Sequence, residues 1–329
     1  MIASSPKTFL ITGVSSGLGR AFAHGALAAG HRVIGTVRRG SDADAFAALE
    51  PGRAHPLVLD VTDYAAIPGA ISVAEQKAGA VGVLVNNAGY GHEGVLEESS
   101  IDDLQRQFAA NVFGPVAMIK AVLPGMRERR AGHIVNVTSM GGFITMPGIS
   151  FYCGSKFALE GISEALGKEV AGFGIRVTAL APGQFRTDWA GRSMDRTPRS
   201  IPDYDVVMDP LRAARQAKSG NQPGDPAKAA QALLALVDAE NPPTRLFLGA
   251  DALGLVDQKL DAMKGERDRW DATAHGNDGS KEWSRCTPAS SVLLKQPGND
   301  AAMAPFNSTG PGSPAFRGGP AILLPPPSA

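Results

Sequence analysis

Short, continuous runs of apolar residues recur along this chain, and longer stretches with helical spacing separate them. Continuous apolar runs are typical of strands that are covered on both faces of a sheet. Strands that alternate with helices require right-handed crossover connections. The sequence therefore predicts an α/β fold in which a doubly wound parallel sheet of about seven strands lies between two helical layers. The predicted strands are residues 8–12, 32–37, 56–60, 81–85, 133–138, 175–179 and 245–248.

Two segments interrupt this alternation of strands and helices. Residues 184–224 follow the sixth strand and are rich in Arg, Asp, Pro and Met. An insertion at the carboxyl end of a strand lies beside the crevice where such sheets bind ligands, so we expect a substrate lid there. Residues 276–329 hold nine of the 24 prolines and show no sustained periodicity. We assign residues 1–275 to one domain and residues 276–329 to a disordered tail.

Charge and cysteine content narrow the class of protein. The chain has 32 basic and 32 acidic residues, so nothing in its charge favours a nucleic-acid or membrane partner. No signal peptide is evident in residues 1–7, and no apolar run approaches the ~20 residues of a membrane helix. Two cysteines cannot form a disulfide framework, and we expect a cytoplasmic protein. Cys153 is either a reactive thiol or a small helix residue, and we expect the second.

A glycine-rich turn follows the first predicted strand and opens a helix. Residues 12–19 read TGVSSGLG. Backbone N–H groups in such a turn, together with the N-terminus of the helix behind it, attract a pyrophosphate. This turn therefore predicts a dinucleotide site.

A second pattern supplies an acid or base. Tyr152 and Lys156 are four residues apart, so they share one face of a predicted helix over residues 151–171. An ammonium beside a phenol stabilises the phenolate, so a group with a pKa of about 10 can exchange protons nearer neutrality. Ser139 lies upstream, just after the fifth strand. Singly, these residues have structural interpretations, namely a core tyrosine, a surface lysine and a capping serine. Together with the turn, they predict hydride transfer.

Six motifs, taken together and in this order, closely resemble those of the short-chain dehydrogenase/reductase family. They are Gly13-x-x-x-Gly17-x-Gly19, Asn86-Asn87-Ala88-Gly89, Asn111, Ser139, Tyr152-x-x-x-Lys156 and Pro182-Gly183. The resemblance covers residues 8 to about 270. It implies a single Rossmann-type domain and an NAD(P)-dependent oxidoreductase that interconverts a ketone or aldehyde and an alcohol. It also implies a small-molecule substrate, a homodimer or homotetramer, and no metal site.

The resemblance also implies roles for single residues. Tyr152 would be the general acid in reduction, Ser139 would bond the substrate oxygen, and Lys156 would also bond the nicotinamide ribose. Asn111 would kink the long helix over residues 101–129 and hold a water that links Lys156 to solvent. Asp60 would receive the adenine amino group, or cap the following segment. The expected cofactor contacts are Gly13, Ser15, Ser16, Gly17, Leu18, Gly19, Arg38, Asp60, Val61, Asn87, Ala88, Gly89, Asn111, Tyr152, Lys156, Pro182, Gly183 and Thr187.

The end of the second strand distinguishes NADP from NAD. A carboxylate there would accept bonds from the ribose 2′-hydroxyl and repel a 2′-phosphate, but this chain has Val37. Arg38 can hold a phosphate with two hydrogen bonds. We favour NADP(H), with NAD(H) as the alternative if Arg38 and Arg39 only solvate the strand end. A second basic residue, often found before the middle glycine in relatives that use NADP, is replaced by Ser16.

The residues expected around the substrate are mostly apolar. They predict a lipophilic ketone or secondary alcohol, or else they pack the core or a subunit contact. They are Gly141, Gly142, Phe143, Met146, Phe185, Trp189 and Met194. His92 is expected to be an exposed loop residue.

A regulatory protein that binds the dinucleotide without turnover is the alternative function, although such proteins usually lose the Tyr or Lys. A sugar-nucleotide epimerase is a third hypothesis, but its usual Gly-x-x-Gly-x-x-Gly turn is absent.

Overall fold

The computed structural model describes residues 5–218 and 220–275, and within them it has nine strands. Seven strands form one sheet in the order β3-β2-β1-β4-β6-β7-β9, and all of its pairings are parallel. This arrangement confirms the predicted doubly wound sheet, whose strand order reverses between β1 and β4. The strands are β1 (Thr8–Ile11), β2 (Arg32–Val37), β3 (Ala54–Val58), β4 (Val83–Asn86), β5 (Gly91–Glu93), β6 (Gly132–Val137), β7 (Ile175–Pro182), β8 (Met194–Arg196) and β9 (Arg245–Leu248).

Helices cover both faces of this sheet and complete three layers. One apolar core joins the sheet to α1, α2 and α8, and a second core joins its other face to α3, α5 and the end of α6. The α-helices are α1 (Gly17–Ala28), α2 (Gly40–Ala47), α3 (Ile67–Ala78), α4 (Ile101–Phe108), α5 (Gly114–Arg129), α6 (Ser150–Val170), α7 (Asp205–Lys218), α8 (Pro226–Asp238), α9 (Ala250–Arg269) and α10 (Asp271–His275). The first compact unit ends at Arg269, and α10 belongs to a separate unit.

Strand β1 shows why the apolar runs are continuous. Phe9 and Ile11 are fully buried in the first core, whereas Leu10, between them, is fully buried in the second. Successive side chains of a strand point to opposite faces, and both faces of this sheet are covered. The strand therefore needs apolar residues at every position rather than at every second one.

The long helix predicted over residues 101–129 is interrupted by one π-helical turn, Ala109–Phe113, between α4 and α5. Ser100 and Asp103 form a capping box at its start. By length and composition alone, it is the one helix among the described residues that could cross a membrane. This corrects the expectation that no apolar run approaches that length. Its residues Met118, Val122 and Met126 are buried in the second core, as in a helix that packs on a sheet.

Several boundaries differ from the prediction because strand pairing, rather than apolarity, sets them. Strand β3 begins at Ala54, which pairs with Val33, and β7 continues to Pro182, which pairs with Leu248. The predicted lid contains β8, which pairs with β5 in a second, two-stranded sheet, and it also contains α7. The tail predicted over residues 276–329 lies outside the described residues.

Candidate active site

A cleft of about 1240 Å³ opens where the main sheet's strands end, at the edge where parallel α/β sheets bind ligands. Its lining includes the glycine-rich turn, the residues that follow β2 and β4, and the side chains of Ser139, Tyr152 and Lys156. Nearly all of the predicted catalytic and cofactor-binding residues lie on it. The two exceptions are Gly19 and Asn111, which do not line the cleft.

The glycine-rich turn has the geometry of a phosphate cradle. Gly13 and Gly17 have φ angles of 74° and 58°, in the left-handed region that favours glycine. Ser16, Gly17 and Leu18 line the cleft at the start of α1, and the N-cap Ser16 forms no side-chain cap bond there. Backbone N–H groups at this helix end therefore suit a pyrophosphate.

Gly19 packs tightly against the back of this turn. A Cβ at this position would lie 2.3 Å from both Asn87 Nδ2 and the carbonyl oxygen of Gly13. Helix α1 can approach the end of β4 only because residue 19 has no side chain. The structure thus gives Gly19 a packing role, and its contact with the cofactor stays a prediction.

Thr12 joins the ends of β1 and β4, and the sequence analysis assigned it no role. Its hydroxyl accepts hydrogen bonds from the backbone N–H groups of Asn87 at 2.9 Å and Ala88 at 2.8 Å. Its carbonyl accepts a bond from Asn87 Nδ2 at 2.9 Å. Thr36 acts similarly, because its hydroxyl accepts a 3.0 Å bond from the N–H of Gly13. These two threonines fix the loops that line the dinucleotide side of the cleft.

The end of the cleft beside Arg38 and Asp60, where the adenosine is predicted to lie and which is here called the adenosine end, is exposed. Arg38 lines it and forms no ion pair with any residue that the structure describes, whereas the Arg39 Nε and Nη2 atoms donate to Asp42 at 2.9 and 3.0 Å. Asp60 also lines the cleft, and its Oδ1 atom accepts bonds from the N–H and hydroxyl of Thr62 at 2.9 and 2.7 Å. Asp60 therefore orders the turn after β3 while remaining beside the ligand space.

The loop after β7 closes the opposite side of the cleft. The N–H of Gly183 donates a 2.8 Å bond to Leu248, and a Cβ on Gly183 would lie 2.4 Å from Asp251 Oδ1. Asp251 accepts a 2.8 Å bond from the N–H of Gln184 and so holds this loop from α9. The Thr187 side chain lies near Gly17, so the loop and the glycine-rich turn face each other.

Tyr152 and Lys156 are both buried at the base of the cleft. Lys156 Nζ donates a 2.9 Å bond to the carbonyl of Val137 and lies 5.9 Å from the centroid of the Tyr152 ring. Burial raises the pKa of Tyr152 to about 12, although a side-chain hydrogen bond with Ser139 opposes that shift. Burial lowers the pKa of Lys156 to about 8, and the charge of Glu160 opposes that change. The predicted lowering of the Tyr152 pKa does not appear, because desolvation is the larger effect.

Ser139 lies two residues after the end of β6 and beside Tyr152. Its Oγ atom accepts a 3.0 Å bond from the N–H of Gly141. A Cβ on Gly141 would lie 3.2 Å from the Tyr152 Cε1 atom and 3.3 Å from Ser139 Oγ. Because residue 141 is glycine, no third side chain separates Tyr152 from Ser139.

Asn111 lies in the π-helical turn, where the sequence predicted a kink, but its side chain does not reach the cleft. Its Nδ2 atom donates to the carbonyl of Tyr90 at 3.0 Å and to Ser155 Oγ at 3.1 Å. Its Oδ1 atom accepts a 3.1 Å bond from the N–H of Tyr90. Asn111 thus connects the loop after β4 to helix α6. The water that Asn111 would hold stays a prediction.

This geometry agrees with comparisons with known proteins. A profile described as short chain dehydrogenase matches residues 7–197. The chain belongs to the short-chain dehydrogenase family. This membership confirms the resemblance found in the sequence.

Several relatives show which oxidoreductases this short-chain dehydrogenase is similar to. It is 37% identical over 246 residues to a 3-ketodihydrosphingosine reductase from Bacteroides thetaiotaomicron, covering 74% of this chain and 88% of that protein. It is 34% identical over 212 residues to an NADPH-dependent 3-dehydrocapnine reductase from Ornithobacterium rhinotracheale, covering 62% and 75%. A crystal structure of a short-chain dehydrogenase from Streptomyces avermitilis matches with a TM-score of 0.78 and 42% identity, covering 84% of this chain and 99% of that one.

Two further solved structures, each 25% identical to this chain, were determined with a nicotinamide cofactor. One is a Brucella melitensis 3-ketoacyl-(acyl-carrier-protein) reductase in complex with NADH, with a TM-score of 0.62. The other is ElxO with NADP bound, with a TM-score of 0.63. This short-chain dehydrogenase is therefore an oxidoreductase that acts between CH–OH and C=O groups with a nicotinamide dinucleotide.

The apolar residues predicted around the substrate of this dehydrogenase divide into two groups. Met146, Phe185 and Trp189 line the cleft, and the Trp189 ring centroid lies 5.0 Å from that of Tyr152. Phe143 instead packs on Phe247, at 5.8 Å between centroids, and does not line the cleft. The remaining members, Gly141, Gly142 and Met194, do not line the cleft.

The segment predicted as a lid is tied to the rest of the domain through β5. Glu93 is buried there and accepts bonds from Arg212 Nε at 3.0 Å and Arg215 Nη1 at 3.1 Å, both from α7. His92 is also buried, bonded to Thr197 Oγ1 at 2.9 Å and stacked on Phe151. The prediction that His92 is an exposed loop residue is therefore wrong, because β5 pairs with β8 of the lid.

Cys153 is buried beside Tyr152, and burial raises the pKa of its thiol. A thiol with a raised pKa holds little reactive thiolate near neutrality. This environment favours the interpretation of Cys153 as a small helix residue rather than a nucleophile.

Proposed function

We propose that this short-chain dehydrogenase reduces a lipophilic ketone with NADPH and that Tyr152 supplies the proton. The observation that carries the proposal is the grouping of Ser139, Tyr152 and Lys156 at the base of the cleft that the glycine-rich turn also lines. A dinucleotide held on that turn and a carbonyl beside Tyr152 would share one continuous space.

The chain's own groups position the substrate and move the proton, while the bound nicotinamide supplies the hydride. Ser139 donates a hydrogen bond to the carbonyl oxygen and holds it beside Tyr152. The Tyr152 hydroxyl then donates its proton as charge develops on that oxygen. The Lys156 ammonium stabilises the phenolate that remains. A Tyr152 pKa of about 12 keeps the hydroxyl protonated near neutrality, which favours reduction.

The preference for NADPH rests on the end of β2. Val37 offers no carboxylate to the ribose, and Arg38 lines the cleft with no ion pair to a described residue. An arginine in this position can hold a 2′-phosphate with two bonds. A relative that is named as NADPH-dependent supports this choice.

The choice of a lipophilic ketone rests on the walls around Tyr152. Met146 and Trp189 pack against the apolar cluster that contains Tyr152, and Leu211 lines the same cleft from the predicted lid helix α7. Clefts with mostly apolar walls and few polar groups select apolar ligands. The relative named 3-ketodihydrosphingosine reductase supports an apolar substrate with a keto group.

The test is a screen of ketones that differ in chain length, each with NADPH and with NADH, in which absorbance of the reduced nicotinamide is followed. We expect the largest kcat/KM with long-chain ketones and NADPH, and a kcat that is about 10²- to 10⁴-fold lower in a Tyr152→Phe variant. Tight NADPH binding with no turnover across the screen would instead support a regulatory protein. Higher activity with NADH, or with short polar ketones, would contradict the corresponding part of the proposal.

A further inference from the structure

The last residue of β6, Val137, and the two residues that follow it contact the catalytic helix α6 one after another. The carbonyl of Val137 accepts the bond from Lys156 Nζ at 2.9 Å. Thr138 Oγ1 donates a 2.6 Å bond to Glu160 Oε1, and Ser139 follows beside Tyr152. Glu160 thus belongs to the same set of contacts as the two catalytic side chains of α6, although the proposed mechanism gives it no part.

Glu160 is a buried acid with a second strong partner. It is 4% exposed, and its Oε2 atom accepts a 2.7 Å bond from Arg245 Nε in β9. Arg245 lies over the Phe143 ring, at 5.7 Å from its centroid, and approaches the exposed Glu164 at 3.8 Å. A carboxylate is costly to bury unless charged or polar groups satisfy both oxygens, and both oxygens of Glu160 are satisfied.

The position of Glu160 places its charge near Lys156. Glu160 is four residues after Lys156 on α6, so the two side chains share one helix face, and both are buried. Lys156 has lost most of its contact with water, which disfavours its charged form. A negative charge one helical turn away favours that form again.

We propose that Glu160 is a positioning residue for the reaction: its buried carboxylate keeps Lys156 charged beside Tyr152, and Arg245 holds that carboxylate in place from β9. This inference rests on the proposed function, because it acts through the Tyr152–Lys156 pair. It adds a second layer to the site, which extends from the cleft through α6 to the edge strand of the sheet.

The charged and titratable groups around the pair are few among the described residues. On α6, Tyr152 and Glu160 lie one turn before and one turn after Lys156, and Glu164 lies a further turn on, exposed. Strand β6 offers Lys156 only a carbonyl, and β9 contributes Arg245 next to Glu160. Removal of the Glu160 charge and removal of the Arg245 charge should therefore move the Lys156 proton in opposite directions.

The main experiment is the pH dependence of two quantities in full-length Glu160→Gln: kcat/KM for reduction, and the NADPH dissociation constant measured by nicotinamide fluorescence. Glutamine keeps the size of the side chain and a hydrogen-bond acceptor for Thr138, but removes the charge. We expect the alkaline loss of both quantities to move to lower pH by about one unit. Glu164→Gln is the matched control, and its profiles should coincide with those of the parent.

Arg245→Gln gives a second test that does not depend on the folding of Glu160→Gln. It leaves the Glu160 carboxylate and removes a neighbouring positive charge, so the alkaline loss should move to higher pH. Glu160→Asp, which keeps the charge, should restore a profile close to that of the parent. Thermal melting of each variant separates a shift in pH dependence from a loss of fold.

If the pH profiles of folded Glu160→Gln and Arg245→Gln coincide with those of the parent, the inference is wrong and Glu160 has only a structural role. Lys156→Ala, measured in parallel, separates this outcome from failure of the proposed function. If Lys156→Ala leaves turnover and NADPH affinity unchanged, both the proposed function and the inference fail. If it impairs them while the Glu160 and Arg245 variants behave like the parent, only the inference fails.

Discussion

The two ends of the cleft use charge in different ways. At the adenosine end, Arg38 and Arg39 are exposed, and the pKa of Arg39 is raised by its hydrogen bond with Asp42 rather than by burial. At the catalytic end, Tyr152 and Lys156 are buried, and loss of water moves their pKa values to about 12 and about 8. Exposed charge can select a ligand at little cost to the fold, whereas proton transfer needs groups whose pKa values the interior has changed. Substitutions at the first end should change which cofactor binds, and those at the second should change the rate.

The largest effect is expected from Tyr152→Phe. The variant removes the transferable proton and leaves the ring in contact with Trp189, so kcat should fall by about 10²- to 10⁴-fold. NADPH affinity, measured by fluorescence titration, should stay near that of the parent. Tyr204→Phe is a matched control, since its hydroxyl bonds Glu97 in an exposed part of the lid. If kcat fell equally in both variants, the loss could not be assigned to proton transfer from the Tyr152 hydroxyl.

Changes at the adenosine end come next. Arg38→Ala should weaken NADPH binding by about ten- to a hundred-fold and leave NADH binding nearly unchanged, because only NADPH carries the 2′-phosphate. Val37→Asp should add repulsion against that phosphate and move the preference toward NADH. The measurement is the ratio of kcat/KM for the two cofactors.

Arg39→Ala is the control for this pair, because Arg39 already has Asp42 as its partner. Its cofactor ratio should remain that of the parent. If Arg38→Ala weakened both cofactors equally, Arg38 would be a solvated strand end rather than a phosphate ligand.

The walls of the substrate end should give a smaller effect. Trp189→Leu removes an aromatic ring that lies 5.0 Å from Tyr152, so kcat/KM for a long-chain ketone should fall about tenfold, mostly through KM. Phe143→Leu changes a ring that packs on Phe247 and does not line the cleft, so KM should not change. If KM changed in the Phe143 variant but not in the Trp189 variant, the substrate would be inferred to bind beside Phe143 rather than beside Trp189.

The smallest effect is the pH dependence of the parent enzyme near neutrality. Tyr152 stays protonated up to about pH 12, so it does not limit reduction between pH 6 and 9. Lys156 loses its charge as the pH rises through its pKa of about 8, so kcat for reduction should be constant below pH 7 and about half as large at pH 8. A rate that rises with pH over this range would show that a deprotonated group assists the reduction.

The main features of this fold follow from the sequence because each central strand buries both faces, as Phe9 and Leu10 do in β1. Motif spacing likewise predicts the position of Tyr152 and Lys156, because both lie on one helix. Strand ends such as Pro182 are less predictable, because pairing with a distant strand sets them. His92 shows the same limit, since it is buried only through pairing between β5 and β8.

The residues that support the site from outside the cleft are harder to predict from the sequence than the residues that line it. Arg245 reaches Glu160 across 85 residues of chain, and Asp251 reaches Gln184 across 67. No local pattern contains these pairs. The four-residue spacing of Lys156 and Glu160 is a signal that could have drawn attention to the acid, but only burial and the contact with Arg245 distinguish it from an exposed helix carboxylate.

The bonds at Thr12 also bear on how the molecule folds. Its hydroxyl meets the backbone of Asn87 and Ala88, 75 and 76 residues further along the chain, and β2, β3 and three helices form between them in sequence. Closing parallel pairs over such separations is slow compared with forming helices. We therefore expect the glycine-rich turn, although it is local in sequence, to be completed late in folding, after β4 has paired with β1. An intermediate that has most of its helices would still lack a finished site for the dinucleotide, so during folding the cofactor can stabilise only the last steps.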